Sequence, residues 1–116
     1  METKLVTLIE LPEFQKMASR YFSDDELTNL KVYLASNPTS GNLMKGTGGL
    51  RKLRWVTEGR GKRGGSRVIY YFQDLRFPLL LITVFSKTTK VDLTQDQRVE
   101  FRKLIEKIKQ NRRKNV

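Results

Sequence analysis

The sequence predicts a small α+β domain with the element order β-α-α-β-β-β-α, and three observations point to it. Apolar residues recur at helical spacing near the start of the chain and again at its end, with capping-box sequences in front of two of those stretches. Between them lie three runs that alternate or stay apolar as strands do, separated by turn residues. The chain has 116 residues, which is room for one domain, residues 1–116, with one modest core.

Taken in order, Leu5, Val6, Leu8 and Ile9 read as a short first strand. Pro12 then sits where a first helical turn tolerates it, ahead of Phe14, Met17, Ala18 and Tyr21 at helical spacing. Ser23 and Glu26 make a capping box, and Phe22 with Leu27 stands at the positions of a hydrophobic staple. These open a second helix through Leu27, Leu30, Tyr33 and Leu34, which Asn37-Pro38 closes. The apolar stripes of both helices are core. After a loop from Thr39 to Gly49, residues 50–56 alternate as a strand, with Leu53 and Trp55 on one face and Lys52, Arg54 and Val56 on the other. Residues 66–73 form a β-branched and aromatic strand. The nearly continuous apolar run at 79–85 suits a central strand covered on both faces, and 74–78 supplies the turn between the two. Thr94 and Gln97 form another capping box, before a helix with Phe101, Leu104, Ile105 and Ile108 on one stripe and basic residues over most of the rest. The basic residues from 111 onward read as a frayed, solvated tail at 111–116.

Composition narrows the function. Lys and Arg number 23 against 12 Asp and Glu, for a net charge of +11 and a pI near 10.2, so polyanions are the natural partners. The charge is uneven: residues 1–44 carry net −2, whereas 45–67 carry +7 and 94–116 carry +5. All eight glycines lie between Gly41 and Gly65, so the first basic segment is also the one where the backbone is freest to approach another molecule. The chain has neither Cys nor His, which removes disulfides, thiol nucleophiles, Cys-ligated zinc and the commonest general base. The longest apolar run spans only Leu79 to Ile82 and the start lacks a signal-peptide pattern, so the expectation is a cytoplasmic protein with no membrane partner.

Two phosphate-binding motifs fail on context. Gly59-Arg60-Gly61-Lys62-Arg63-Gly64 spells the dinucleotide fingerprint but lies between two strands, where no helix N-terminus follows to hold a pyrophosphate. Gly61-Lys62 lacks the Ser or Thr of a nucleoside triphosphate loop. Between Lys45 and Arg67 the only acid is Glu58, too few carboxylates for two-metal chemistry, so neither metal nor other cofactor is expected. What remains is phosphate binding or chemistry carried by Lys and Arg, whose donors clamp phosphate oxygens and stabilise the negative charge of a five-coordinate phosphorus. Arg67 opens its strand just after Gly64-Gly65, so an antiparallel hairpin brings it beside Lys52 and Arg54, and Lys87 ends the next strand. Arg51, Arg60, Lys62 and Arg63 are the neighbouring candidates for RNA contact.

The stretch Lys45-Gly46-Thr47-Gly48-Gly49-Leu50-Arg51-Lys52-Leu53-Arg54, followed by Gly61-Lys62-Arg63-Gly64-Gly65-Ser66-Arg67-Val68-Ile69-Tyr70-Tyr71, resembles the HigB branch of the RelE-like toxins of type II toxin-antitoxin systems. The resemblance runs from about Phe14 to Ile108. It implies a curved, mainly antiparallel sheet and a ribosome-dependent, metal-independent endoribonuclease, an mRNA interferase that inhibits translation by cutting mRNA in the A site through attack of the ribose 2′-OH on the adjacent phosphate. It also implies a cognate antitoxin with a helix-turn-helix DNA-binding domain, through which operator DNA is reached only indirectly, and a ribosome with bound mRNA as the working partner. By motif position, Lys52 resembles the family lysine proposed as general base, Arg54 the phosphate-contacting neighbour, Arg67 the arginine that stabilises the transition state, and Lys87 a basic residue at the end of the last long strand. A lysine base needs a pKa lowered by burial or by cationic neighbours, for which Arg51, Arg54 and Arg67 are the candidates. The family's tyrosine after the last strand has no counterpart, because 88–95 holds no aromatic residue. Tyr71, on the strand parity of Arg67, is the substitute candidate for stacking a base, with a place in the core as the other reading. The alternative reading is a non-catalytic basic module that grips RNA or DNA phosphates without turnover.

Overall fold

The computed structural model describes residues 5–56, 65–86 and 92–114. Pro12 opens the first helix, α1 (Pro12–Tyr21), at the position where its missing N–H is not needed, and α1 buries Phe14 and Ala18. The second helix, α2 (Asp24–Ser36), carries the expected capping box: the Ser23 hydroxyl accepts from the Glu26 N–H at 3.2 Å, and the Glu26 carboxylate accepts from the Ser23 N–H at 2.8 Å. The Asn37 N–H and side-chain amide both return to the Tyr33 carbonyl, and Pro38 stops the helix.

Five strands, β1 (Leu8–Glu10), β2 (Asn42–Leu43), β3 (Leu50–Trp55), β4 (Ser66–Tyr71) and β5 (Leu79–Ser86), form one mixed sheet in the order β1-β5-β4-β3-β2. β1 runs parallel to β5, and the other pairings are antiparallel. Together with three helices this is a small α+β domain. The first strand lies later than the apolar pattern suggests, because the Val6 N–H is taken by the Ala35 carbonyl at the end of α2 and Leu5 is left two-thirds exposed. β2 has no counterpart in the sequence reading. Its two residues are both exposed and pair with Arg51 and Lys52, so no periodicity announces them.

The helices sit on opposite faces. Phe14, Ala18, Leu30 and Leu34 of α1 and α2 pack with Val68, Tyr70, Leu79, Leu81 and Val84. Phe101 and Ile105 of the third helix, α3 (Gln95–Lys114), pack with Leu50, Ile69, Tyr71, Leu80 and Ile82. β5 is therefore covered on both sides, as its nearly continuous apolar run requires, and residues 79–85 are all buried. A register shift of one residue between Ile69 and Tyr70 leaves Ile82 as the extra residue of a β-bulge.

α3 begins with the expected box, Thr94 and Gln97 exchanging bonds of 3.0 and 3.1 Å. It continues to Lys114, so the helix takes in the first residues of the basic tail. The cause is a local anchor: the Arg112 guanidinium reaches both carboxylate oxygens of Asp74 at 3.2–3.3 Å and lies 5.0 Å from the Phe77 ring centroid. One turn earlier, Lys109 Nζ donates to the Gly48 carbonyl at 2.9 Å.

The segment 44–50 is a tight turn rather than an open loop. Thr47 is fully buried, donates its hydroxyl to the Met44 carbonyl at 2.7 Å and accepts from the Leu50 N–H at 3.1 Å. Gly46, Gly48 and Gly49 take φ of +72°, +78° and +117°, the left-handed region that side chains resist. These three glycines thus serve the β2–β3 turn.

Candidate nucleic-acid interface

Strand alternation and hairpin register together build the site. β3 and β4 pair with Leu50 opposite Tyr71, Lys52 opposite Ile69 and Arg54 opposite Arg67. All six residues face α3 by parity, and their exposure grades along the strands. Leu50, Ile69 and Tyr71 are buried under α3, Lys52 and Arg67 are half-buried, and Arg54 is exposed. The face is apolar at one end and cationic at the other. The register sets two arginines opposite each other with a lysine on the same face, residue types whose donors can bind a phosphate group. The hairpin thus brings Lys52, Arg54 and Arg67 onto one surface, as the sequence predicts.

The register depends on Gly65. It has φ +61°, and a Cβ there would lie 2.6 Å from the Trp55 carbonyl oxygen, so only glycine lets β4 start beside the end of β3. The following residue, Ser66, pairs with Trp55, and the pair Arg54–Arg67 comes next.

Lys52 has a partner that sequence reasoning missed. Its Nζ donates to Asp92 Oδ2 at 3.0 Å, and Arg98 of α3 donates to the same oxygen at 3.0 Å. The other carboxylate oxygen accepts from the Leu93 N–H at 2.8 Å. Burial pushes the Asp92 carboxyl up, but the bonds from Leu93 and Lys52 and the charges of Lys52 and Arg98 outweigh it, and the net direction is down. Lys52 Nζ is therefore engaged as a hydrogen-bond donor to Asp92 in the folded chain. The only sequence signal for Arg98 is the capping box that fixes the start of α3 and so puts residue 98 in its first turns; nothing local links Lys52 to Asp92, forty positions away.

Two candidates belong elsewhere. Arg51, next to Lys52 and so on the opposite face, donates to the carbonyls of Thr39 and Gly41 at 3.1 and 2.7 Å. It ties the end of the α2–β2 connection to the sheet, with its side chain on the face opposite that of Lys52. Tyr71 is 2% exposed, packs under α3 with its hydroxyl donating to Gln73 at 3.1 Å, and has Lys109 Nζ 5.8 Å from its ring centroid. A ring so enclosed cannot stack on a base, which corrects that assignment, and its burial raises the phenol pKa. Lys87, Arg60, Lys62 and Arg63 lie outside the described residues, as does the Gly59–Gly64 motif.

Among the described residues no three Asp or Glu side chains gather to hold a metal ion, and no helix is long and apolar enough to cross a membrane. No protein-family model matches the chain.

Proposed function

We propose that this protein is a toxin of the HigB branch of the RelE-like family, an endoribonuclease that cuts mRNA on the ribosome and is neutralised by a cognate antitoxin. The observation that carries the reading is the register that sets Arg54 opposite Arg67 with Lys52 on the same face, in a chain with no His and no Cys to serve as base or nucleophile. Cleavage needs a ribose 2′-OH aligned on the neighbouring phosphate, charge stabilisation as phosphorus becomes five-coordinate, and proton transfer off the attacking oxygen and onto the leaving one. Arg54 clamps the scissile phosphate and Arg67 holds the charge that develops in the transition state; Lys52, once its bond to Asp92 opens and its ammonium has given a proton to water, accepts the 2′-OH proton, while the departing 5′-oxygen takes its proton from solvent. Lys87 keeps the supporting role given by its place in the motif. The ribosome supplies the alignment of the mRNA, which a shallow basic surface does not supply alone.

The bond between Lys52 and Asp92 favours one competing reading, a basic module that binds RNA without turnover, because it occupies the proposed base. Induced expression in a bacterial host without antitoxin, with mRNA 5′ ends mapped while translation runs and after it is blocked, separates the two. New ends in frame with codons during translation alone support the nuclease. Growth arrest without new ends replaces it with the binding module, and harmless expression overturns both.

A further inference from the structure

We propose that Lys52 and Arg98 form a seat for one backbone phosphate of single-stranded RNA, and that the Asp92 carboxylate occupies that seat until RNA displaces it. The proposal rests on the RNA-binding half of the reading above and not on cleavage. A single carboxylate oxygen, Oδ2, takes both cations at 3.0 Å, from β3 on one side and α3 on the other. Two donors from different elements converging on one anionic oxygen is the arrangement a phosphate oxygen seeks. Lys52, Arg98 and Asp92 keep side-chain exposures of 30, 27 and 32%, so the seat is open to solvent and the carboxylate has water to turn into. Lys52 shares its strand face with Arg54, two residues on, so an RNA strand held at the Arg54–Arg67 pair has its neighbouring phosphate within one strand repeat of the seat. Displacement exchanges one carboxylate for one phosphodiester of the same charge, and the rest of the strand adds attraction to a chain of net charge +11.

The test is binding of a 2′-O-methyl RNA oligonucleotide, which cannot be cleaved by 2′-OH attack, measured by fluorescence anisotropy across a salt series with the full chain. Asp92→Asn keeps an acceptor for the Leu93 N–H and removes the competing charge; Glu106→Gln, on an exposed position of α3, makes the same change in net charge away from the seat. The expected result is several-fold tighter binding by Asp92→Asn than by Glu106→Gln at low salt. Arg98→Gln in the native background should weaken binding and flatten the slope of log K against log salt by about 0.7, the value for one phosphate contact on a single strand. Adding Arg98→Gln to Asp92→Asn should cancel the gain. Equal affinities for Asp92→Asn and Glu106→Gln, weaker binding by Asp92→Asn, or an unchanged slope in Arg98→Gln each overturn the seat. In-frame mRNA cleavage with a failed oligonucleotide test removes the seat and leaves the nuclease; the converse removes the nuclease and leaves the seat.

Discussion

Arg51 and Lys52 are adjacent on β3, and their fates show how the two faces of this sheet differ. The face toward α1 and α2 uses Arg51 to hold two backbone carbonyls of a connecting loop. The face toward α3 grades from the buried pair Leu50–Tyr71 to the outward pair Arg54–Arg67, with Lys52 between them. A cation with carbonyl acceptors inside the fold contributes to stability, and one at the rim of an apolar face is placed to meet an outside anion. In a chain this basic, location relative to the core separates charge bound within the fold from charge carried at the rim of a face, and residue type does not.

Substitutions on the two sides should break in different observables. The largest effect expected is on the α3 side: Arg67→Ala should slow mRNA cleavage on translating ribosomes by about 10²- to 10³-fold, the loss seen when one transition-state donor is removed, with the melting temperature retained. A fully active Arg67→Ala protein would remove that residue from the mechanism. Gly65→Ala should follow. The new Cβ meets the Trp55 carbonyl at 2.6 Å in a backbone of positive φ, a strain on the order of 1–3 kcal/mol, and the register that opposes Arg54 to Arg67 starts there; denaturant unfolding and cleavage should both suffer. On the other face, the Tyr70 hydroxyl donates to the Pro38 carbonyl and accepts from the Gly41 N–H, both at 2.8 Å, inside the core. Tyr70→Phe should therefore cost about 1–3 kcal/mol in urea unfolding and leave RNA affinity per folded molecule unchanged.

The smallest effect is in acid. Asp74, held down by the Arg76 N–H and then by Arg112 and Arg76, and Asp92, lowered on balance by Leu93, Lys52 and Arg98, both have carboxyls shifted below the ordinary aspartate range in the folded chain. For depressed carboxyls the stabilisation is present in full above the unfolded pKa and is lost as pH falls through the folded one. The melting temperature should thus be insensitive to these two groups above about pH 5 and fall below pH 4, and Asp74→Asn with Asp92→Asn should reduce that fall. A titration unchanged by the double substitution would show that neither carboxyl contributes.

Much of this was legible in the sequence, for local reasons. Both capping boxes, the Asn37-Pro38 stop and the apolar run of β5 depend on residues within one or two turns of each other, so α1, α2, α3 and β3 to β5 were readable, as was the hairpin that gathers Lys52, Arg54 and Arg67. What escaped depends on distant partners. β2 exists only because β3 offers it an edge, the basic end of α3 is ordered by Asp74 and Phe77, and Asp92 finds Lys52 and Arg98 only after folding. Tyr71 was left open between base stacking and the core for the opposite reason. Parity correctly put it on the face of Arg67, but parity does not say which end of that face α3 covers.

The central claim, that charge works outward on one face and inward on the other, is tested most directly by Arg54→Ala and Arg51→Ala side by side, each measured for thermal stability and for cleavage of ribosome-bound mRNA per folded molecule. The account predicts that Arg54→Ala loses cleavage at native stability, whereas Arg51→Ala loses stability at native cleavage. The reverse assignment, or loss of both properties in both proteins, would contradict it.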